Sequence, residues 1–337
     1  GHGGDPRYNG VVLHAALEVQ SATTRLQSGQ SAPVISLASL MEDEDPETGD
    51  QGGPLWEILS GQGYPRPASA VEMGVLLDRA GDERFAGKSR VFRSFLAEQD
   101  PDQTLYEGLM EGLVYRQNQH AFLLLAQRAG YGALHRAAIR LPAEERAPAI
   151  EHWLITLSGL FSPEHSKPKT LPRAGFGTPL PAQVWHCFRV RPANHPLRRI
   201  AGAARMVVRY LEPGLVEGLS DIAATSKPAL LTLALAVASG PAPGPAPVGI
   251  GRARDLAVNV VLPCLHGLAE MGGDARRAES YLELYHRFGK LQDNELTREM
   301  TGQLVDPDWA ADSQKVANNA RRQQGLLHLK YLVSGVV

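Results

Sequence analysis

Beyond about Ala68 the apolar residues fall at three- and four-residue steps, and that period confines most of this chain to helices. Val71, Val75 and Leu76, followed by Arg79, open an amphipathic stretch; Leu105, Leu109, Leu113, Phe122 and Leu125 continue the same spacing. The pattern predicts further helices near residues 144–160, 196–211, 227–238, 252–269, 274–288 and 313–332. Two segments interrupt them: 162–181, rich in Pro and Lys, and 239–251 (SGPAPGPAPVGIG), where alternating Pro and Gly forbid regular helix. Both are expected as exposed loops. No fixed-period repeat marks a solenoid, although stacked helical hairpins remain compatible with the pattern.

Before Ala68 the pattern differs. The run NGVVLHAALEV at residues 9–19 is β-branched and apolar, follows the turn pairs Asp5-Pro6 and Asn9-Gly10, and predicts a strand. PVISL at 33–37 is a second short strand, able to pair with it across a polar loop at 21–31. Glu42, Asp43, Glu44, Asp45, Glu47 and Asp50 then crowd together with Gly and Pro, a self-repelling run that reads as a linker. The expected organisation is a β remnant of an N-terminal α/β domain at 1–38, an acidic Gly/Pro linker at 39–67 and a helical domain at 68–337, an α+β protein overall.

With 337 residues, 43% of them hydrophobic and 21% charged, the chain can bury a substantial core, and its net charge of -2 supplies no global attraction to nucleic acid or anionic lipid. Its richest apolar run, at 229–238, falls short of the roughly 18 residues that span a bilayer, so a membrane location is not expected. Cys187 and Cys264 are far apart and outside any CxxC spacing, which fits a reducing cytoplasm. The chain opens at Gly1 inside a motif, which reads as a fragment whose start is missing. No phosphate-binding GxxxxGK[ST] loop, GxGxxG, HExxH or GxSxG is present, and the eleven histidines include no pair at i, i+4.

Two groups of residues carry candidate chemistry. His2, Asp5, Tyr8 and His14 lie on or beside the first strand, and histidine with aspartate can bind a divalent ion or move a proton. The plainer alternative is a tight Asp5-Pro6 turn, with Tyr8 covering a sheet edge and His14 hydrogen-bonded on a half-buried strand. The second group is Arg189, Arg191, Arg198, Arg199, Arg205 and Arg209, six arginines between Pro181 and Leu211 with no acid among them. Asn194 or His195 is expected to cap a helix that carries Pro196 in its first turn. Ile200, Ala204, Val207 and Leu211 fall on one face and Arg198, Arg205 and Arg209 roughly opposite, a stripe able to grip phosphates or to pair with acids such as Glu212 and Glu217. Asn194 completes the nucleic-acid-binding set. Asp255, Asn259 and Asn294 interrupt apolar helical sequence and are expected to cap helices or join buried networks.

Ordered segments along the chain resemble a bacterial family, domain of unknown function 2851. HGGDPRYNGVVLH is similar to its His-x-His-x-x-Asp-Pro-x-Tyr element and following strand, with the first histidine lying before Gly1 and Ala15-Ala16 in place of two valines. Tyr106, Gly108, Leu109, Tyr115 and Asn118 match a further element, in which Gly112 replaces Ala and Val114 replaces a Gly expected to permit a bend. Arg191, Pro192, Asn194, Pro196, Arg199, Ile200 and Ala201 match its Arg-Pro-x-Asn-x-Pro-x-x-Arg-Ile-Ala motif. Asp255, Asn259, Pro263, Asn294, Thr297, Gln324, Gly325 and Leu326 match later segments. Upstream of its opening element the family carries an aspartate and a Glu-x-His strand, which resemble the acidic core of restriction-endonuclease-type, Mg²⁺-dependent nucleases. The resemblance thus implies a metal-dependent nuclease or another nucleic-acid-processing protein acting on DNA or RNA, with the metal-binding carboxylates outside this fragment. The alternative is a non-catalytic helical interaction or scaffold protein.

Overall fold

A computed structural model describes residues 12–16, 19, 21–36, 53–160, 176–239, 244–306 and 316–334, and divides the chain into units at 1–53 and 54–337. The fold is α+β and mostly helical. In the first unit β1 (His14–Ala16), β2 (Thr23–Arg25) and β3 (Ser31–Ser36) form a sheet in the order β1-β3-β2. β1 runs parallel to β3 with His14 opposite Val34, whereas β2 is antiparallel with Thr23 opposite Pro33. The expected polar loop at 21–31 therefore contains a strand. The Val34 N–H donates to the Ala22 carbonyl, next to Pro33, whose nitrogen has no hydrogen to give. Gly29, at φ 84°, closes the β2–β3 turn in a conformation costly for other residues.

The second unit begins earlier than sequence composition indicates. α1 (Gly53–Gly61) lies inside the stretch expected as linker, and it buries Trp56 and Leu59 in a core with Tyr64, Met73, Leu77, Met300, Leu304 and Leu329. Complete burial of a leucine contributes about 1.5–3 kcal/mol, so residues 54–67 belong to the second unit. Residues 39–52 lie outside the described set.

α2 (Ala70–Leu96) is the spine, 27 residues and about 40 Å long. Its start is set by Ser69, whose Oγ accepts the Glu72 N–H, while the Glu72 carboxylate reaches back to the Ala68 N–H. One half of α2 packs in the small core; Phe85 and Leu96 belong to a larger core shared with most later helices. These are α3 (Pro101–Gly112), α4 (Arg116–Arg128), α5 (Tyr131–Ala138), α6 (Ala143–Ser158), α7 (Pro196–Arg209), α8 (Leu215–Ala224), α9 (Pro228–Leu235), α10 (Ile250–Leu256), α11 (Leu262–Met271), α12 (Ala275–His286), α13 (Glu295–Leu304) and α14 (Ala320–Ser334).

α14 crosses α2 at backbone contact. A Cβ on Gly325 would stand 2.2 Å from the Leu77 carbonyl oxygen, and one on Gly81 would stand 2.2 Å from that of Arg321. Charged and polar contacts flank the crossing: Asp78 pairs with Arg322 at 3.0 Å, and Asp82 pairs with Arg321 and lies 2.8 Å from His286 Nε2. The resemblance at Gly325 thus has a packing cause. At the α3–α4 junction, Leu113 takes an ordinary right-handed conformation and Val114 is buried, so the chain bends there without a glycine.

α10 and α11 are one run of helix interrupted at Ala257–Val261 by a π segment. Pro263 lacks the N–H that would bond the Asn259 carbonyl, so the regular ladder cannot continue through this turn, and the helix accommodates the loss by widening. Gly108 and Gly112 let α3 approach the widened turn: a Cβ on Gly112 would lie 2.7 Å from Leu256 Cδ2, and one on Gly108 would lie 3.0 Å from Val260 Cγ1.

Candidate functional cleft

The widened turn faces a cleft of about 760 Å³. Its walls come from α2 (Arg84, Lys88), the start of α4 (Tyr115, Arg116, Gln119), the bulged helix (Arg252, Asp255, Asn259), the segment entering α13 (Gln292–Thr297) and α14 (Gln323, Gln324). Segments singled out separately along the sequence thus meet in one place.

Lys88 is at its centre. Its side-chain nitrogen donates to Asn259 Oδ1 and, at 2.8 Å, to Gln324 Oε1. Both amides are held in that orientation by second contacts: Asn259 Nδ2 donates to the Asp255 carbonyl at 2.9 Å, and Gln324 Oε1 also accepts from Arg84 Nε at 3.0 Å. The Lys88 side chain keeps some exposure along the cleft wall, but its nitrogen is packed deeply enough for burial to control its protonation. Burial, aided by the Arg84 charge and opposed by Asp255, pulls the amine well below the usual lysine range. Asp255 moves the other way, raised by burial against the opposing pull of Arg252 and Lys88. A carboxyl and an amine with converging proton affinities therefore share the cleft.

The rim is cationic and aromatic. Arg252 lies 4.5 Å over the Tyr115 ring, 3.7 Å from Asp255, and donates to the Gly112 carbonyl. α4 starts beside it with no side chain capping its first turn, and Arg116 is exposed there. On the far wall Asn294 and Thr297 form a reciprocal capping box that starts α13, so Asn294 has the capping role expected of it. Gln323 fixes the approach by bonding both the N–H and the carbonyl of Leu291.

The arginine set sits differently. α7 buries Ile200, Ala204 and Val207 as expected, with Arg198, Arg205 and Arg209 on the other side. Their guanidinium groups reach the chain's own carbonyls: Arg198 to Pro245, Arg205 to Ala238, and Arg209 to Leu233, Ala234 and Ala236. Arg199 is buried, bonded at 2.8 Å to the Pro247 carbonyl and at 2.7 Å to Asn194 Oδ1, and burial beside Arg252 and Arg198 pushes it down to about 10. Asn194 thus holds Arg199, and His195 takes the cap position without a side-chain bond. Pro247 and Val248 are buried on α7, so the expected exposed loop at 239–251 is partly folded in. Arg189, at φ 54°, stacks 5.1 Å from the Phe188 ring, and Arg191 is exposed before a short turn at Pro192–Asn194. Of the acids weighed as partners, Glu212 pairs with Arg146 at 3.9 Å.

His2, Asp5 and Tyr8 lie outside the described residues. His14 is exposed, with Nδ1 3.0 Å from Thr24 Oγ1. Among the described residues no three His, Cys, Asp or Glu side chains come together in a group fit to hold a metal ion, and no helix is long and apolar enough to cross a membrane. Ser89, His266 and Glu270 make a polar cluster on α2 and α11, but Ser89 Oγ (2.8 Å) and Glu270 Oε2 (3.4 Å) address the same ring nitrogen, Nδ1. A nucleophile relay needs them on opposite nitrogens, so this cluster joins two helices.

Lys88 and Arg84 were not legible as site residues, since nothing local distinguishes them from a solvated helix face. Asn259 with Pro263 four residues later was the one readable sign of a helical bulge. Asn118, within the resembling Tyr-Asn element, is a brace: its amide exchanges two hydrogen bonds with the backbone of His186.

No curated protein and no solved structure matches the chain. The profile of a family described as protein of unknown function (DUF2851) matches residues 1–227, which leaves the segments that build most of the cleft beyond the match. Since that match covers more than half of its length, the chain belongs to the DUF2851 family.

Proposed function

We propose that the helical unit binds a phosphate-bearing ligand in the cleft at the bulged helix, as part of a protein that processes nucleic acid. The observation that carries this reading is the convergence of Arg84, Arg116 and Arg252 on one cavity with amide side chains and the uncapped start of α4. Guanidinium groups recognise phosphate through paired hydrogen bonds, and a free helix N-terminus adds favourable dipole charge. The metal-dependent nuclease reading rests on the resemblance of the opening segment, and no step is routed through a metal here. A non-catalytic interaction role is the second reading, favoured by α7, whose arginines bond to the chain's own carbonyls.

The test is a titration of the chain with inorganic phosphate and with short single-stranded DNA and RNA at several salt concentrations. Arg116→Ala/Arg252→Ala is expected to weaken binding roughly tenfold or more and to lower the salt dependence, while Arg198→Ala/Arg205→Ala leaves both unchanged. Equal loss in the two variants, or no binding at low salt, would overturn the assignment to the cleft.

A further inference from the structure

Lys88 has a bonding pattern suited to an uncharged amine. Its two acceptors, Asn259 Oδ1 and Gln324 Oε1, are neutral amide oxygens, and they match in number the two N–H groups of an amine, whereas an ammonium carries three donors. Neither acceptor can rotate away without a loss elsewhere. Turning Asn259 would break its bond to the Asp255 carbonyl, and turning Gln324 would set its NH₂ against Arg84 Nε. With both hydrogens directed at the walls, the nitrogen lone pair is left for the cleft that Lys88 lines.

Among the surrounding charges Arg84 acts in the same direction and Asp255 against it. Arg84 lies one turn away on α2; Asp255 and Arg252 face it from the bulged helix; Gln324 comes from α14; Asp293 and Glu295 stand on the wall entering α13. Of these, Asp293 is already paired, with Lys290 at 2.8 Å and with Gln323 at 2.9 Å. A lysine withdrawn from water next to another cation is a standard route to a nucleophilic amine.

We propose that Lys88 captures a phosphate-bearing aldehyde as an imine, with Asp255 handling the proton. This rests on the cleft being the phosphate site. The nitrogen lone pair attacks the carbonyl carbon, and the C=O pair moves to oxygen, which takes a proton from the Asp255 carboxyl. The nitrogen then loses a proton to the Asp255 carboxylate. The resulting carbinolamine expels its hydroxyl as water, protonated again by Asp255, as the C=N bond forms, and the iminium's remaining N–H proton returns to the Asp255 carboxylate to leave the neutral imine. One amine and one aldehyde give one imine and one water, with no change of oxidation state. The raised proton affinity of Asp255 suits it to that donation. The aldehyde has two sources: a small phosphorylated sugar, or the ring-opened deoxyribose at a baseless position in a nucleic acid.

The experiment incubates the full chain, with cyanoborohydride present, with glyceraldehyde 3-phosphate in one arm and a single-stranded oligonucleotide containing a baseless site in the other. Unphosphorylated glyceraldehyde is the control, and peptides are mapped by mass spectrometry. At neutral pH the Lys88 adduct is expected to form at least roughly tenfold faster than adducts at Lys227, Lys290 and Lys330, since each unit by which an amine's proton affinity falls raises its free-base fraction about tenfold. Asp255→Asn should slow it, and Lys88→Arg, checked for folding by circular dichroism, should remove it. The arm with the faster adduct identifies the source. Modification of Lys88 no faster than of those three lysines in both arms would overturn the proposal. If phosphate still binds in that case, only the imine falls; if phosphate does not bind, the cleft reading falls with it.

Discussion

α7 and the bulged-helix cleft both gather cations, but they surround them with different partners. On α7 the guanidinium groups bond backbone carbonyls between Leu233 and Pro247 and fasten the Pro/Gly segment to the larger core. In the cleft, Lys88 and Arg84 bond side-chain amides that are themselves braced, Arg116 is exposed at the rim, and Arg252 is packed over Tyr115, paired with Asp255 and bonded to the Gly112 carbonyl. An arginine with several donors already on carbonyls, as Arg209 has, gains little from a phosphate, since one set of hydrogen bonds must be given up for the other, whereas Arg116 is exposed at the cleft. Positive sequence charge therefore locates arginines without telling what they hold.

The largest expected effect comes from the crossing that delivers Gln324 to the cleft. Gly325→Ala places a methyl group against the Leu77 carbonyl, where only 2.2 Å is free, and should destabilise the chain by about 3 kcal/mol through overpacking. Urea denaturation gives that value. A change within experimental error would mean that α14 can shift freely, and the bracing of Lys88 would lose its basis.

Arg199→Ala follows. It strands the Pro247 carbonyl and Asn194 in a buried site and should cost about 2 kcal/mol, while phosphate affinity at the cleft falls far less than in Arg116→Ala/Arg252→Ala. A loss of affinity without a loss of stability would dissolve the contrast between the two regions.

The smallest effect is expected from Lys88→Met, and its sign is informative. The folded protein holds Lys88 at a proton affinity below that of the unfolded chain. Between those two values the unfolded state binds the extra proton, so this group makes stability rise with pH towards about 10.4, the unfolded lysine value. Below the folded value the penalty is present in full. Lys88→Met removes it, so at neutral pH the variant should be as stable as the parent or more so, within about 1 kcal/mol. Its advantage should shrink as pH rises. Denaturation curves at neutral and alkaline pH measure the difference; an advantage that grows with pH would show that Lys88 is not held against protonation.

Much of the fold was legible because helices announce themselves by period. The stretches expected at 144–160, 196–211 and 274–288 correspond to α6, α7 and α12 within a few residues. α1 was hidden because its four apolar residues, Leu55, Trp56, Ile58 and Leu59, follow a long run of Gly, Pro and acids, whose composition outweighed so short an apolar stretch. β2 was hidden because TTR alternates polar side chains on a small sheet with little core to mark it. The α7 arginines were located correctly, but their partners are backbone carbonyls, which leave no trace in residue identity. Lys88 was invisible for a related reason: its setting is assembled from α2, the bulged helix and α14, across separations of 171 and 236 residues.

The most direct measurement is diffraction from crystals soaked in tungstate, a heavy phosphate analogue, at ionic strength high enough to suppress loose surface binding. The account predicts an anomalous peak in the cleft beside Arg116 and Arg252, lost in Arg116→Ala/Arg252→Ala. Peaks along α7 at Arg198 and Arg205 with an empty cleft would contradict it.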